Sequence, residues 1–342
     1  MRRGIVFAAL VSSTALLAVP ALASGYKFEK VATITMPGPK GHNDIVTYDP
    51  ENQMLYASMP DDGLCVVDTR TNKVVHCVHN VPSPNGNAFD KNYVYVNAGE
   101  GAGAGKVNAI VVISKKTWKE VGRVTTKGTS PDGVQVNAAT DTVFIQSDDN
   151  NWVEKYKGGA HPTFESKWSL YPANPKAGPD VGTLVRSLHA LYVPDDMWFE
   201  KLNTGNGQIV AKIDTGIPLA KHGGTKASIY DPKTGLIWGG TTDAASGMIV
   251  YRASDLHIVK RLPTHGGIDA VAYDPKLGLV YAWGGGGRKG FDVFDMKTMT
   301  PIAFVSTGIG NTHAGDVDTR THNVYTFAGD GGVIDVYKPV KQ

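Results

Sequence analysis

The sequence predicts an all-β fold, a seven-bladed β-propeller with four antiparallel strands in each blade. One sequence motif recurs along the chain: a turn, a short apolar strand ending in an aromatic-Asp-Pro corner, and a second strand rich in Tyr and Val. Two more strands follow each copy, so four strands recur about every 40 to 45 residues, a spacing typical of propeller blades. The two ends of the chain also supply complementary parts of one sheet, which predicts a closed ring.

The residues before the first repeat predict an export signal. Met1-Arg2-Arg3 precedes an apolar run over 5–19, which is followed by the small-residue sequence that ends at Ala23. This pattern predicts a signal peptide over 1–23 with cleavage after Ala23, and it favours the general secretory route over the twin-arginine route. The apolar run is too short to span a bilayer, so we expect no membrane insertion. We expect a periplasmic protein, with secretion beyond the cell as the alternative.

Seven copies of the repeat predict seven blades. The copies at 44, 226 and 269 are the clearest, and the copy at 180 is the weakest. The innermost strands are predicted to begin at Asp44, Asn85, Asp132, Asp180, Lys226, Asp269 and His313.

The chain ends predict how the ring closes. The seventh repeat supplies only three strands, over 313–317, 323–327 and 333–337, and its missing outer strand matches the N-terminal segment 28–36. A ring closed in this way leaves no long sheet edge exposed. One propeller domain is therefore predicted over 26–340.

The second strands carry a recognisable motif. Segments 92–97 (Asn-Tyr-Val-Tyr-Val-Asn), 278–282 (Gly-Leu-Val-Tyr-Ala) and 322–326 (His-Asn-Val-Tyr-Thr) resemble the repeats of the YVTN β-propeller family. The resemblance covers nearly all of the predicted mature chain and implies an exported scaffold or binding protein; some relatives serve near redox enzymes. The docking repeat of quinoprotein alcohol dehydrogenases is missing, so no pyrroloquinoline quinone is expected.

Composition argues against several partners. The chain has 34 Lys and Arg against 32 Asp and Glu, a net charge of +2 over 342 residues. With the two signs interspersed, this predicts neither nucleic acid nor an anionic membrane surface as a partner. The four glycines over 284–287 lack the strand-to-helix context of a phosphate loop, so neither NAD nor a nucleotide is expected. We expect a monomer.

The two cysteines predict a disulfide. Cys65 and Cys77 lie in two apolar runs separated by a turn, and the antiparallel pairing that sets Asp68 opposite Val74 also sets the cysteines opposite each other. The alternative is a metal site formed by Cys77 with neighbouring histidines. It is disfavoured because consecutive side chains of a strand point to opposite faces.

The candidate functional residues gather at one predicted mouth of the channel. The seven strand starts give a ring of four aspartates, Asp44, Asp132, Asp180 and Asp269, with Asn85, Lys226 and His313. Four histidines are predicted in the loops before innermost strands: His42, His222, His265 and His313. The acidic ring suits a hard cation, or a polar ligand with Lys226 neutralising part of the charge. Imidazoles beside carboxylates also suit zinc and other divalent metals. Arg288, after the glycine run, is available to an anionic group.

Structural roles compete with these functional ones. An Asp at a strand start often accepts backbone N–H bonds from its loop, and a loop histidine can satisfy turn carbonyls. Two functional hypotheses remain. The first is a binding or scaffold protein that holds a metal ion, a small molecule or a partner protein at the channel mouth. The second is a metal-dependent, lactonase-like lyase or hydrolase in which His222, His265 or His313 is the general base.

Overall fold

The structure is a computed structural model that describes residues 25–59, 62–171, 178–217, 224–284 and 288–342. The predicted signal peptide and His222 lie outside these ranges. Within them, seven four-stranded antiparallel sheets surround a central channel, so the predicted seven-bladed propeller is confirmed.

The strands follow one another in chain order and fill one blade after another. After β1 (Tyr26–Thr35), blade 1 contains β2 (Val46–Asp49), β3 (Met54–Ser58), β4 (Asp62–Asp68) and β5 (Lys73–Pro82); blade 2 contains β6 (Pro84–Phe89), β7 (Tyr93–Gly99), β8 (Asn108–Ser114) and β9 (Glu120–Thr125); blade 3 contains β10 (Pro131–Asn137), β11 (Thr142–Ser147), β12 (Trp152–Lys157) and β13 (Thr163–Ser169); blade 4 contains β14 (Thr183–Val185), β15 (Ala190–Asp195), β16 (Trp198–Asn203) and β17 (Ile209–Asp214); blade 5 contains β18 (Thr225–Asp231), β19 (Leu236–Thr241), β20 (Met248–Arg252) and β21 (Ile258–Leu262); blade 6 contains β22 (Ala270–Asp274), β23 (Leu279–Trp283), β24 (Gly290–Asp295) and β25 (Thr300–Ser306); blade 7 contains β26 (Ala314–Asp318), β27 (Asn323–Ala328) and β28 (Val333–Lys341).

Blade 7 is completed by the N-terminal strand, as predicted. The order in its sheet is β1-β28-β27-β26, with Tyr26 opposite Lys341 at one end and Thr35 opposite Val333 at the other. The described residues also contain three short 3-10 helices, at Arg186–Leu188, Ala244–Ser246 and Gly329–Gly331. No helix in the described ranges has the length and apolarity needed to cross a membrane.

The repeat has a structural explanation in the corner aspartates. Asp49 accepts the backbone N–H groups of Glu51 and Asn52, and Asp274 accepts those of Lys276 and Leu277. Each aspartate therefore stabilises the turn between the first and second strands of its blade.

The second strands explain the Tyr and Val of the repeat. Tyr56, Tyr95, Tyr281 and Tyr325 are fully buried, because both faces of these strands pack against neighbouring blades. The outer strands differ: in Ile209–Asp214 half-buried and exposed residues alternate, as expected where one face meets solvent.

Cys65 and Cys77 form a disulfide between the third and fourth strands of blade 1. The predicted pairing of the cysteines is confirmed, but the register around it differs. Asp68 lies opposite Lys73 and Val67 opposite Val74, and a β-bulge then restores the Cys65–Cys77 pair. A disulfide fits an oxidising, extracytoplasmic compartment.

Candidate functional site

The starts of the seven innermost strands meet at one end of the channel. There they surround a cavity of about 310 Å³. Its lining includes the seven predicted ring residues, Asp44, Asn85, Asp132, Asp180, Lys226, Asp269 and His313, together with His42 and Asp148. These residues come from all seven blades, because the innermost strand of every blade begins at this end.

Three of these residues form a group that is close enough to hold a metal ion. One ligand atom each from His42, Asp44 and His313 lie within 4.8 Å of one another. The rings of the two histidines are 4.5 Å apart between centroids. Two imidazole nitrogens and a carboxylate oxygen are a donor set that suits zinc and other divalent transition metals better than calcium, which prefers oxygen ligands.

His313 is held in one orientation by the loop before blade 1. Its Nδ1–H donates a hydrogen bond of 2.8 Å to the carbonyl oxygen of Asn43, which can only accept. Its Nε2 lies 3.3 Å from a carboxylate oxygen of Asp269. The bond to Asn43 therefore leaves Nε2 as the nitrogen that can contact a cation in the cavity.

The carboxylates around His313 favour a positive charge on it. Burial lowers the pKa of His313, but the charges of Asp269 and Asp44 outweigh burial and raise that pKa to about 9. Burial raises the pKa of the Asp44 carboxyl, although both histidines oppose this shift. At His42, burial and the neighbouring charge of His313 lower the pKa. A potential that favours a proton on a buried imidazole also favours a metal cation.

The opposite side of the ring contains a buried ion pair. The Lys226 ammonium lies 2.7 Å from Asp180, and both side chains are largely buried. Burial disfavours the charged lysine, but the aspartates around it, Asp180 first, raise its pKa above the ordinary value. Lys226 is therefore a permanent cation of the ring, and Asp180, which also accepts the N–H of Val181, is neutralised by it.

Two further aspartates are left with raised pKa values. Burial and the charges of Asp180 and Asp44 raise the pKa of Asp132 well above its ordinary range. Burial raises the pKa of Asp148 to about 6, although Lys226 opposes the shift. Five aspartates in the lining stand against one lysine and two histidines, so acidic groups outnumber basic ones in the cavity.

Asn85 has a structural contact in addition to its place in the lining. Its side-chain amide donates a 3.1 Å hydrogen bond to the carbonyl oxygen of Pro131, in the next blade. The amide therefore connects blades 2 and 3 at the level of the ring.

His265 and Arg288 do not line this cavity. Asp292, which is buried, accepts hydrogen bonds from the backbone N–H and Nδ1 of His265, and its carboxylate also pairs with the Arg288 guanidinium. The His265 ring stacks on Phe304, with centroids 4.4 Å apart. Arg288 is thus neutralised within the blade rather than directed at a ligand. His222 lies outside the described residues.

The Asp292 contact belongs to a pattern in the third strands that sequence reasoning missed. Glu154 accepts the N–H groups of Lys127 and Gly128, and Glu200 accepts the N–H of Tyr171. In each case an acid at the third position of a third strand fixes the loop that enters its blade. The sequence signal for this pattern was an acid at the same position in the third strands of blades 3, 4 and 6.

Asp148 and Ser130 also line the cavity. Neither residue is among the predicted ring residues. Asp148 reaches the ring because its loop and the strand starts share the same end of the propeller.

Comparison with protein-family models and with curated protein sequences finds no match for this chain.

Proposed function

We propose that this protein is an exported binding protein that holds a divalent transition-metal ion at the mouth of its central channel. His42, Asp44 and His313 are the proposed ligands, and Asp269 lies beside His313 Nε2. The single observation that carries the proposal is the close approach of these three ligand atoms, within 4.8 Å of one another. The negative charge of the surrounding aspartates supports it, because it offsets the cost of placing a cation there.

The ligand types favour zinc or a similar ion. Imidazole and carboxylate together suit zinc, copper, nickel and cobalt, whereas calcium and magnesium prefer a shell made only of oxygens. Three protein ligands are fewer than the four of a closed structural zinc site. A metal held this way would keep one position for a further ligand from the cavity.

Binding is favoured over catalysis by the surroundings of the histidines. A metal-dependent lyase or hydrolase needs a general base beside the metal. Of the candidate bases that the structure describes, His313 belongs to the proposed ligand set and His265 is fixed to Asp292 outside the cavity. The third candidate, His222, lies outside the described residues. Turnover of lactones or esters by the metal-loaded protein would overturn the assignment as a binding protein and restore the enzyme hypothesis.

Elemental analysis of the purified mature chain tests the proposal directly. We expect about one zinc or similar ion for each chain after equilibration with a divalent metal mixture and removal of excess ions. The double variant H42A/H313A is expected to lose this ion. H265A is the matched control, because its imidazole is outside the cavity, and it is expected to retain the metal. An unchanged metal content in H42A/H313A would refute the ligand assignment.

The compartment and partners follow from the same proposal. The disulfide and the predicted signal peptide over 1–23 support export, with the periplasm as the proposed location. The proposed partner is a small molecule that enters the channel mouth and meets the metal, and the protein is proposed to act as a monomer.

A further inference from the structure

The channel continues below the ring as a second compartment. This lower cavity has a volume of about 430 Å³, and its lining comes from the innermost strands of all seven blades. Ile45 lines both the upper and the lower cavity, so the two compartments adjoin at this residue. A ligand that occupied both compartments would pass Ile45.

The two compartments differ in chemistry. The upper cavity is lined by five aspartates, a lysine and two histidines, whereas Val, Ala, Ile, Leu and Gly dominate the lower one. Asp316 is the one carboxylate among the described residues that line the lower cavity. Its two oxygens accept the backbone N–H groups of Tyr48 and Val317, each at 2.7 Å, so this carboxyl group has a structural role.

We infer that the channel binds a small amphiphile, with an uncharged donor head on the metal and a hydrocarbon chain in the lower compartment. This inference rests on the proposed metal site. An uncharged head is favoured over a carboxylate or a phosphate, because acidic side chains outnumber basic ones in the upper cavity. The chain gains free energy by leaving water for the apolar lining below Ile45.

A homologous series of ligands measures both parts of this inference. The protein is loaded with cobalt(II), whose visible absorption reports a ligand entering its coordination shell, and titrated with imidazole and 1-alkylimidazoles of increasing chain length. We expect the affinity to rise about fourfold for each methylene that enters the lower cavity. Alkyl carboxylates of equal length are expected to bind more weakly at every chain length.

Two valine variants test where the hydrocarbon chain of the ligand binds. Val181 lines the lower cavity in blade 4, on the far side of the ring from the metal group, and V181F is expected to remove the dependence on chain length. Val210 is exposed on the outermost strand of the same blade, so V210F is the matched control and is expected to behave like the unmodified protein.

The outcomes separate this inference from the proposed function. If the protein binds cobalt but its affinity for alkylimidazoles does not depend on their chain length, the inference is wrong and the metal site is unaffected. The same holds if the affinity depends on chain length equally in V181F and the unmodified protein. A carboxylate that binds as tightly as the matching alkylimidazole would overturn the uncharged head. A protein that binds no cobalt would overturn the proposed function and this inference with it.

Discussion

Replacing Glu200 with Gln is expected to stabilise the protein above neutral pH and to leave its stability nearly unchanged in acid. Glu200 is fully buried on the third strand of blade 4, where its Oε1 accepts the N–H of Tyr171 at 3.0 Å. Within the described residues its Oε2 has no hydrogen-bond partner. Burial raises the pKa of Glu200 from 4.5 to about 7, although the Tyr171 bond and Lys212 oppose the shift.

The direction and size of the effect follow from this pKa. Below pH 4.5 the carboxyl is protonated in the folded and unfolded chains alike. Between 4.5 and about 7 the unfolded chain ionises first, so the free energy of unfolding falls as the pH rises. The total loss is about 3 kcal/mol, at roughly 1.4 kcal/mol for each pH unit. A glutamine side chain does not ionise, and its amide oxygen keeps the acceptor for Tyr171, so E200Q avoids the loss.

Urea denaturation of both proteins across this pH range measures the difference in unfolding free energy. E154Q is the matched control, because the corresponding acid of blade 3 uses both oxygens to accept hydrogen bonds. An amide there loses an acceptor, so E154Q is expected to be destabilised at neutral pH, where E200Q is expected to be stabilised. A stability difference between E200Q and the unmodified protein that stays constant from acid to alkaline pH would refute the reasoning.

Three other substitutions have defined expectations, each measured by chemical denaturation. Replacing both Cys65 and Cys77 with Ser opens a loop with a sequence separation of 12 and is expected to cost about 3 kcal/mol, an effect that reduction of the unmodified protein should reproduce. K226M leaves Asp180 buried without its cation and is expected to cost about 3 kcal/mol, whereas D180N/K226M should recover part of it. G315A places a methyl group against the indole of blade 6 and a backbone carbonyl of β27, and is expected to cost about 1–3 kcal/mol; full stability in G315A would contradict this packing.

The ring could be predicted because its members share a position in the repeat. The Tyr-Asp-Pro corner fixes the register of each copy, so the residue five positions before the corner Asp in Asp44–Asp49 and Asp269–Asp274 is the same structural position. The structure brings these positions to one cavity. The pairing of Lys226 with Asp180 crosses from one blade to the next, and repeat alignment gives no distances between blades.

Which histidines reach the cavity could not be predicted in the same way. His265 and His313 share a Thr-His phrase, but His313 stands at the ring position, whereas His265 lies four residues before the ring residue Asp269. The shared Thr-His dipeptide suggests equivalent positions for the two histidines, but the register of the repeat places them at different positions. Their environments then depend on partners distant in sequence, Asp292 for one and Asn43 for the other.

The position of the metal group within the ring has a consequence for assembly. His42 and Asp44 precede the innermost strand of blade 1, and His313 precedes that of blade 7, so the three side chains meet where the first and last blades adjoin. An ion bound by all three would cross-link the first and last parts of the polypeptide. Such an ion favours the fully assembled ring over any intermediate in which the termini have separated.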